Sequence, residues 1–253
     1  MSLRKAVRAV TPKGLRLAVA RVRRAGRDSG LQGPRPHFAA KSGTSPNTGF
    51  PHRVLGIVQE IKPSPFLEGK LANIGLSAAR LDGIVVAPGE TLSFWKLAGC
   101  PSAANGFHIG RSIRGGIVGG EIGGGLCQVS GIAYEAGLRA GLLPVERHPH
   151  SRDLYTEEER FTPLGLDATV VWPNKDLRLA NPLAVAVQFR FVVRGLTIAA
   201  SVHAPIALEA ATLEISRKDA EHMREVRIVR RAIRGAAEVI SDDLYPAPPD
   251  RIS

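Results

Sequence analysis

Cysteine is almost missing from this chain, with only Cys100 and Cys127 among 253 residues. One pair in a chain of this length is no disulfide framework, so both are expected as reduced thiols. Aromatic residues make up 5% of the sequence and are absent from the first thirty positions, which removes the stacking platform that single-stranded nucleic acid requires there. No apolar run is long enough to span a bilayer, and Arg16, Arg21, Arg23 and Arg24 interrupt every apolar stretch near the N-terminus where a signal-peptide core would sit. The expectation is a cytoplasmic protein, at most peripheral at the inner membrane face. Neither nucleotide-binding signature is present: no Lys-Ser or Lys-Thr follows the glycines, and Glu121 and Ile122 break the dinucleotide fingerprint. No Cys and His pairs have zinc-ligand spacing, so neither metal nor cofactor is expected. There are no internal repeats.

What is present begins with charge. The formal net charge is +11, and Arg4, Lys5, Arg8, Lys13, Arg16, Arg21, Arg23, Arg24 and Arg27 concentrate it in residues 1–30. Leu3, Val7, Leu15, Val19 and Val22 interleave with them, which suits a basic arm to an anionic membrane surface rather than to nucleic acid. Residues 31–53, rich in Gly, Pro and Ser, read as a linker. Residues 54–235 then form one domain, since 44% hydrophobic content supports a single sizeable core. Residues 236–253, ending in prolines, are expected to be disordered. Apolar spacing predicts helices over 68–81 and 127–140, with strands at 54–60, 84–86, 91–95, 107–113, 168–172, 185–193 and 196–203. Weaker candidates lie at 212–216 and 225–234. This order is α+β, with a Cys-bearing helix packed on a mainly antiparallel sheet.

Chemistry concentrates between Gly115 and Ser151. Gly123, Gly124 and Gly125 lead directly into Cys127 and Gln128, where the helical spacing starts. A thiol in the first turn of a helix is acidified by the macrodipole and is a candidate nucleophile. His148 and His150 follow in an extended segment, and period-two alternation places both on one face with Arg147 and Ser151 on the other. Either imidazole could serve as the base. Asp167, ahead of a β-branched run, could orient it or could simply close a turn with its own backbone. Gln128 and the glycine N–H groups are candidate oxyanion donors. A non-catalytic alternative uses Gly123, Gly124, Gly125, Arg147 and Ser151, with Arg111 or Arg114, to hold an anionic ligand.

Four segments carry a family resemblance. They are LANIGLSAARLDGIVVAPGETLSFWKLAG from Leu71, GGGLCQVS from Gly123, ERHPHS from Glu146 and GLDATVVWPNKDLRLAN from Gly165. In that order they resemble the VanW family, which takes its name from an accessory protein of vancomycin-resistance clusters, over residues 54–193. The resemblance implies a single α+β VanW-like domain and a context of peptidoglycan metabolism or glycopeptide resistance, with a peptidoglycan precursor as partner. It assigns no roles to the recurring Cys, Gln and His. The order of glycine loop, Cys at a helix start, His on a strand and later Asp is also similar to transglutaminase-like and papain-like cysteine enzymes. By that analogy Cys127 is the nucleophile, His148 or His150 the base and Asp167 the orienter.

Overall fold

The computed structural model describes residues 12–31, 35–41, 49–114, 117–153, 160–220, 223–232 and 236–246. Gly115 and Gly116, most of the acidic stretch after Asp153, and the arm before Pro12 lie outside the described residues. The chain is α+β, with mainly antiparallel sheets.

The buried core draws on the helices and on three of the sheets. Helix α1 spans Lys13–Asp28, strand β1 His37–Phe38, β2 His52–Glu60 and helix α2 Leu67–Leu81. Strands β3 (Val85–Val86) and β4 (Glu90–Ser93) lead into the short helix α3 (Phe94–Ala98). The expected strand at 91–95 stops early because the Ser93 hydroxyl accepts from the Lys96 N–H and starts α3. Strands β5 (Ile109–Arg114) and β6 (Ile117–Ile122) form a hairpin, and α4 spans Leu126–Arg139. Strands β7 (Leu143–Glu146), β8 (Arg178–Ala180), β9 (Val187–Arg194) and β10 (Thr197–Ala204) follow. The chain then adds β11 (Thr212–Ala220), β12 (Met223–Arg231) and β13 (Ala237–Pro246).

Helix α4 carries Val129, Ile132, Ala133 and Ala136 at the 3.6-residue period, and all are buried. It ends in a Schellman motif: Gly141 takes φ +96°, its N–H bonds Leu138 and the Leu142 N–H bonds Gly137. Helices α2 and α4 pack beside each other against the sheet ordered β2-β10-β9-β3, whose β9–β10 hairpin turns at Gly195. A second sheet is ordered β1-β4-β8-β7, and a third β11-β12-β13. Buried Arg230 on β12 donates to the Leu138 and Leu142 carbonyls and ties this third sheet to the end of α4.

Three expectations are corrected. The linker contributes β1, which pairs in parallel with β4. The C-terminal stretch is not disordered through 246: β13 pairs with β12 along its length, and Tyr245 is fully buried. No strand forms at 168–172, where only Val171 bridges Lys175, because Asp167 to Trp172 runs along α4 with its carbonyls turned to side chains there. No helix among the described residues is long and apolar enough to cross a membrane.

Candidate functional site

The glycines before α4 serve close packing. Gly124 presses against β5, where a Cβ would overlap the Gly110 carbonyl, and Gly125 enters the helix at φ +100° above the Lys70 side chain. Buried Asn73 pins this junction, donating to the Gly124 and His108 carbonyls and accepting from the His108 N–H. Gly119 and Gly120 lie in β6, so the glycine-rich stretch is largely a hairpin rather than an open loop. Lys70, buried under the junction, donates to the Lys62 carbonyl. Burial, with the charge of Arg111, pulls its pKa down to about 8.

Cys127 is thereby held as the second residue of α4, half-buried, with Sγ 4.0 Å from the Val170 carbonyl. Ser130, one turn on, donates to the Ala168 carbonyl at 2.6 Å and fixes the 168–170 segment along the helix.

The two histidines part company. Strand β7 ends at Glu146, and the backbone from Arg147 to His150 is irregular, so strand alternation does not set their directions. His148 turns Nε2 to Glu146 at 3.1 Å, whereas His150 turns Nδ1 to Asp167 Oδ2 at 2.6 Å. The His150 imidazole also lies close enough to the Cys127 thiol for each to shift the other's ionisation. With Nδ1 engaged by the carboxylate, Nε2 is the nitrogen left for sulfur. Burial opposes ionisation of both partners, yet the partners prevail. Burial would raise the Cys127 pKa, but the hydrogen bond and charge of His150 hold it below the ordinary thiol value. Burial would lower that of His150, but Asp167 and Cys127 raise it to about 10. Each group therefore favours the charged form of the other, thiolate beside imidazolium.

Asp167 is not a simple turn aspartate. Its Oδ2 also accepts from the His150 backbone N–H at 2.6 Å, and its Oδ1 accepts from Tyr245 at 2.6 Å and Arg147 at 3.1 Å. Burial would raise its pKa, but His150, Arg147 and Tyr245 together hold it well below the carboxylate range. Arg147 in turn bonds the Asp167 and Gly165 carbonyls, Tyr245 and Asp243, and lies 5.2 Å over the Tyr134 ring. Its guanidinium is taken up by the protein's own acceptors.

Of the other expected site residues, Gln128 commits its amide donor to the Glu60 carbonyl at 2.8 Å, tying α4 to β2. Ser151 is exposed on the bend after His150. Sequence reasoning missed Asp243 and Tyr245, which reach Asp167 and Arg147 from β13. Their only signal was the alternation of inward positions 243 and 245 in a segment whose prolines suggested disorder.

This arrangement of thiol, imidazole, buried carboxylate and supporting arginine is a cysteine–histidine–aspartate constellation at a helix start. The VanW like protein family model matches residues 69–203, just over half the chain, and the chain belongs to that family. It is 39% identical over 109 residues to the uncharacterized protein YoaR of Bacillus subtilis (strain 168). It is 30% identical over 116 residues to the vancomycin B-type resistance protein VanW of Enterococcus faecalis (strain ATCC 700802 / V583). These alignments take in 43% and 46% of this chain, and 34% and 42% of the relatives' own lengths. No solved structure matches.

Proposed function

We propose that the protein is a cysteine-dependent hydrolase or acyl transferase that acts on an amide bond of a peptidoglycan precursor. The observation that carries this reading is the His150 imidazole, hydrogen-bonded to buried Asp167 and close enough to the Cys127 thiol at the start of α4 to shift its ionisation. The cell-wall context comes from the relative named as a vancomycin resistance protein.

In the proposed reaction the Cys127 thiolate attacks the carbonyl carbon of the amide and the carbonyl electrons move to oxygen. The Leu126 and Cys127 N–H groups that open α4 stabilise that oxyanion. Collapse of the tetrahedral species breaks the C–N bond, His150 gives its proton to the leaving nitrogen, and a thioester remains on Cys127. His150 then takes a proton from water or from an acceptor amine. That nucleophile displaces sulfur, releasing acid or a new amide and restoring the thiolate. Asp167 holds the imidazole in orientation, and Arg147 and Tyr245 hold Asp167; these three are positioning residues.

The alternative, a non-catalytic module that grips an anionic precursor through the glycines, has less support. Gly124 and Gly125 are taken up in packing, and Arg147 in the network around Asp167.

Incubation with peptidoglycan stem peptides, read by mass spectrometry, tests the proposal. Cleaved or transferred peptide together with an acyl adduct on Cys127, both lost in Cys127→Ala, is the expected result. Unchanged peptides and no adduct across donor and acceptor mixtures would contradict it.

A further inference from the structure

Helix α1 is mounted on the protein by its charged side. Arg24 is buried, with its guanidinium 2.5 Å from Asp176 and donating to the Ser93 hydroxyl and the Pro173 carbonyl. Asp28, one turn on, pairs with Arg178 at 2.5 Å and Lys96 at 3.3 Å. Leu17, Ala20 and Arg27 share this half-buried side. A surface helix ordinarily turns its apolar stripe to the core. Here the stripe of Leu15, Val19 and Val22, spaced four and three residues apart, points outward with exposures of 56%, 43% and 71%. At 100° per residue, exposed Arg21 and Arg23 flank it on opposite sides.

We propose that this face of α1 is a docking surface for an anionic lipid bilayer. The helix lies in the interface plane, with Leu15, Val19 and Val22 among the acyl chains and Arg21 and Arg23 at the headgroup phosphates. Charge selects this occupant over a second copy of the chain. Two such faces brought together would set arginines against arginines around three small side chains, far less apolar area than a stable dimer needs. The mounting makes the contact directional. Arg24 also lies 5.6 Å over the Trp172 ring, and Val170, whose carbonyl touches the Cys127 sulfur, is two residues before it. Docking would therefore hold the Cys127 side of the domain at a fixed attitude to the lipid surface. The proposal does not depend on the chemistry of Cys127.

Sedimentation of the full chain with phosphatidylcholine vesicles, with and without phosphatidylglycerol, tests it. Binding should require phosphatidylglycerol and fall with salt. It should drop about tenfold or more when Val19→Asp and Val22→Asp are combined, and less for Arg21→Glu. Arg194→Glu, an exposed change at the β9–β10 turn, should leave it unaltered. All substituted positions are exposed, so circular dichroism and melting should match the wild type. No sedimentation with anionic vesicles, or equal loss with Arg194→Glu, would overturn the proposal. So would a dimer, seen by light scattering, that Val19→Asp and Val22→Asp abolish, since the occupant would then be a second copy.

Discussion

Two buried networks in this protein use the same parts and end differently. In each, an arginine braces a carboxylate that meets a histidine about two-thirds buried: the His148 and His150 side chains are 33% and 32% exposed. Around His148, Glu146 accepts from the Asp176 N–H and pairs with Arg178, which continues to Asp176, Asp28 and Arg24. That network ends in a helix, and its product is the attachment of α1. Around His150, Asp167 is held by Arg147, Tyr245 and the chain's own N–H, and the imidazole continues to a thiol. Exposure and ion pairing do not tell the histidines apart. A nucleophile at the far nitrogen does, and it marks one network as a candidate site and the other as scaffolding.

The largest effect should come from breaking the scaffolding network. Arg24→Ala leaves Asp176, which is fully buried, without its closest cation, and should cost about 3–5 kcal/mol of stability in urea unfolding. Removing residues 1–30 should destabilise comparably; an unchanged midpoint would show that α1 is only loosely attached.

Next comes the site network, read through chemistry. His150→Ala should slow iodoacetamide labelling of Cys127 about tenfold near neutral pH, as the thiolate loses its imidazolium. Stability follows with a definite sign. The His150 pKa is raised to about 10, so its contribution is complete below the ordinary imidazole value of about 6.5 and fades as pH rises toward 10. The difference in unfolding free energy between wild type and His150→Ala should therefore shrink across that window.

Tyr245→Phe sharpens the comparison further by removing one donor to Asp167. It should cost about 1.5 kcal/mol and move the labelling profile of Cys127 part of the way toward that of His150→Ala. A stability loss with an unmoved profile would make Tyr245 structural only. The smallest effect is expected for His148→Ala, with labelling of Cys127 within about twofold of wild type, because its imidazole pairs with Glu146.

Much of the framework was legible in the sequence because it is local. The period of Val129, Ile132 and Ala136 marks α4, Gly141 its end, and Arg194-Gly195 the β9–β10 turn. Cys127 at the helix start follows from the same pattern. What could not be read is long-range. Period-two alternation put both histidines on one face, but the irregular backbone after Glu146 sends them to different carboxylates. The Asp167 contacts to Tyr245 cross 78 residues, and those of Arg147 to Asp243 cross 96, through a sheet that starts beyond the family match. Likewise the sequence, read as a basic arm, gives no sign that α1 is mounted on the domain, because its contacts to Asp176, Arg178 and Lys96 are ionic, and ionic residues carry no periodic apolar signal.

The central claim is that Cys127 and His150 are coupled, each favouring the charged form of the other. A titration of thiolate ultraviolet absorbance, taken as the difference between wild type and Cys127→Ser, tests it most directly. The account predicts a Cys127 pKa below the ordinary thiol value of about 8.5 that moves back up on replacing His150 by alanine. Absorbance that appears only at or above that ordinary value, and is unmoved in His150→Ala, would contradict it.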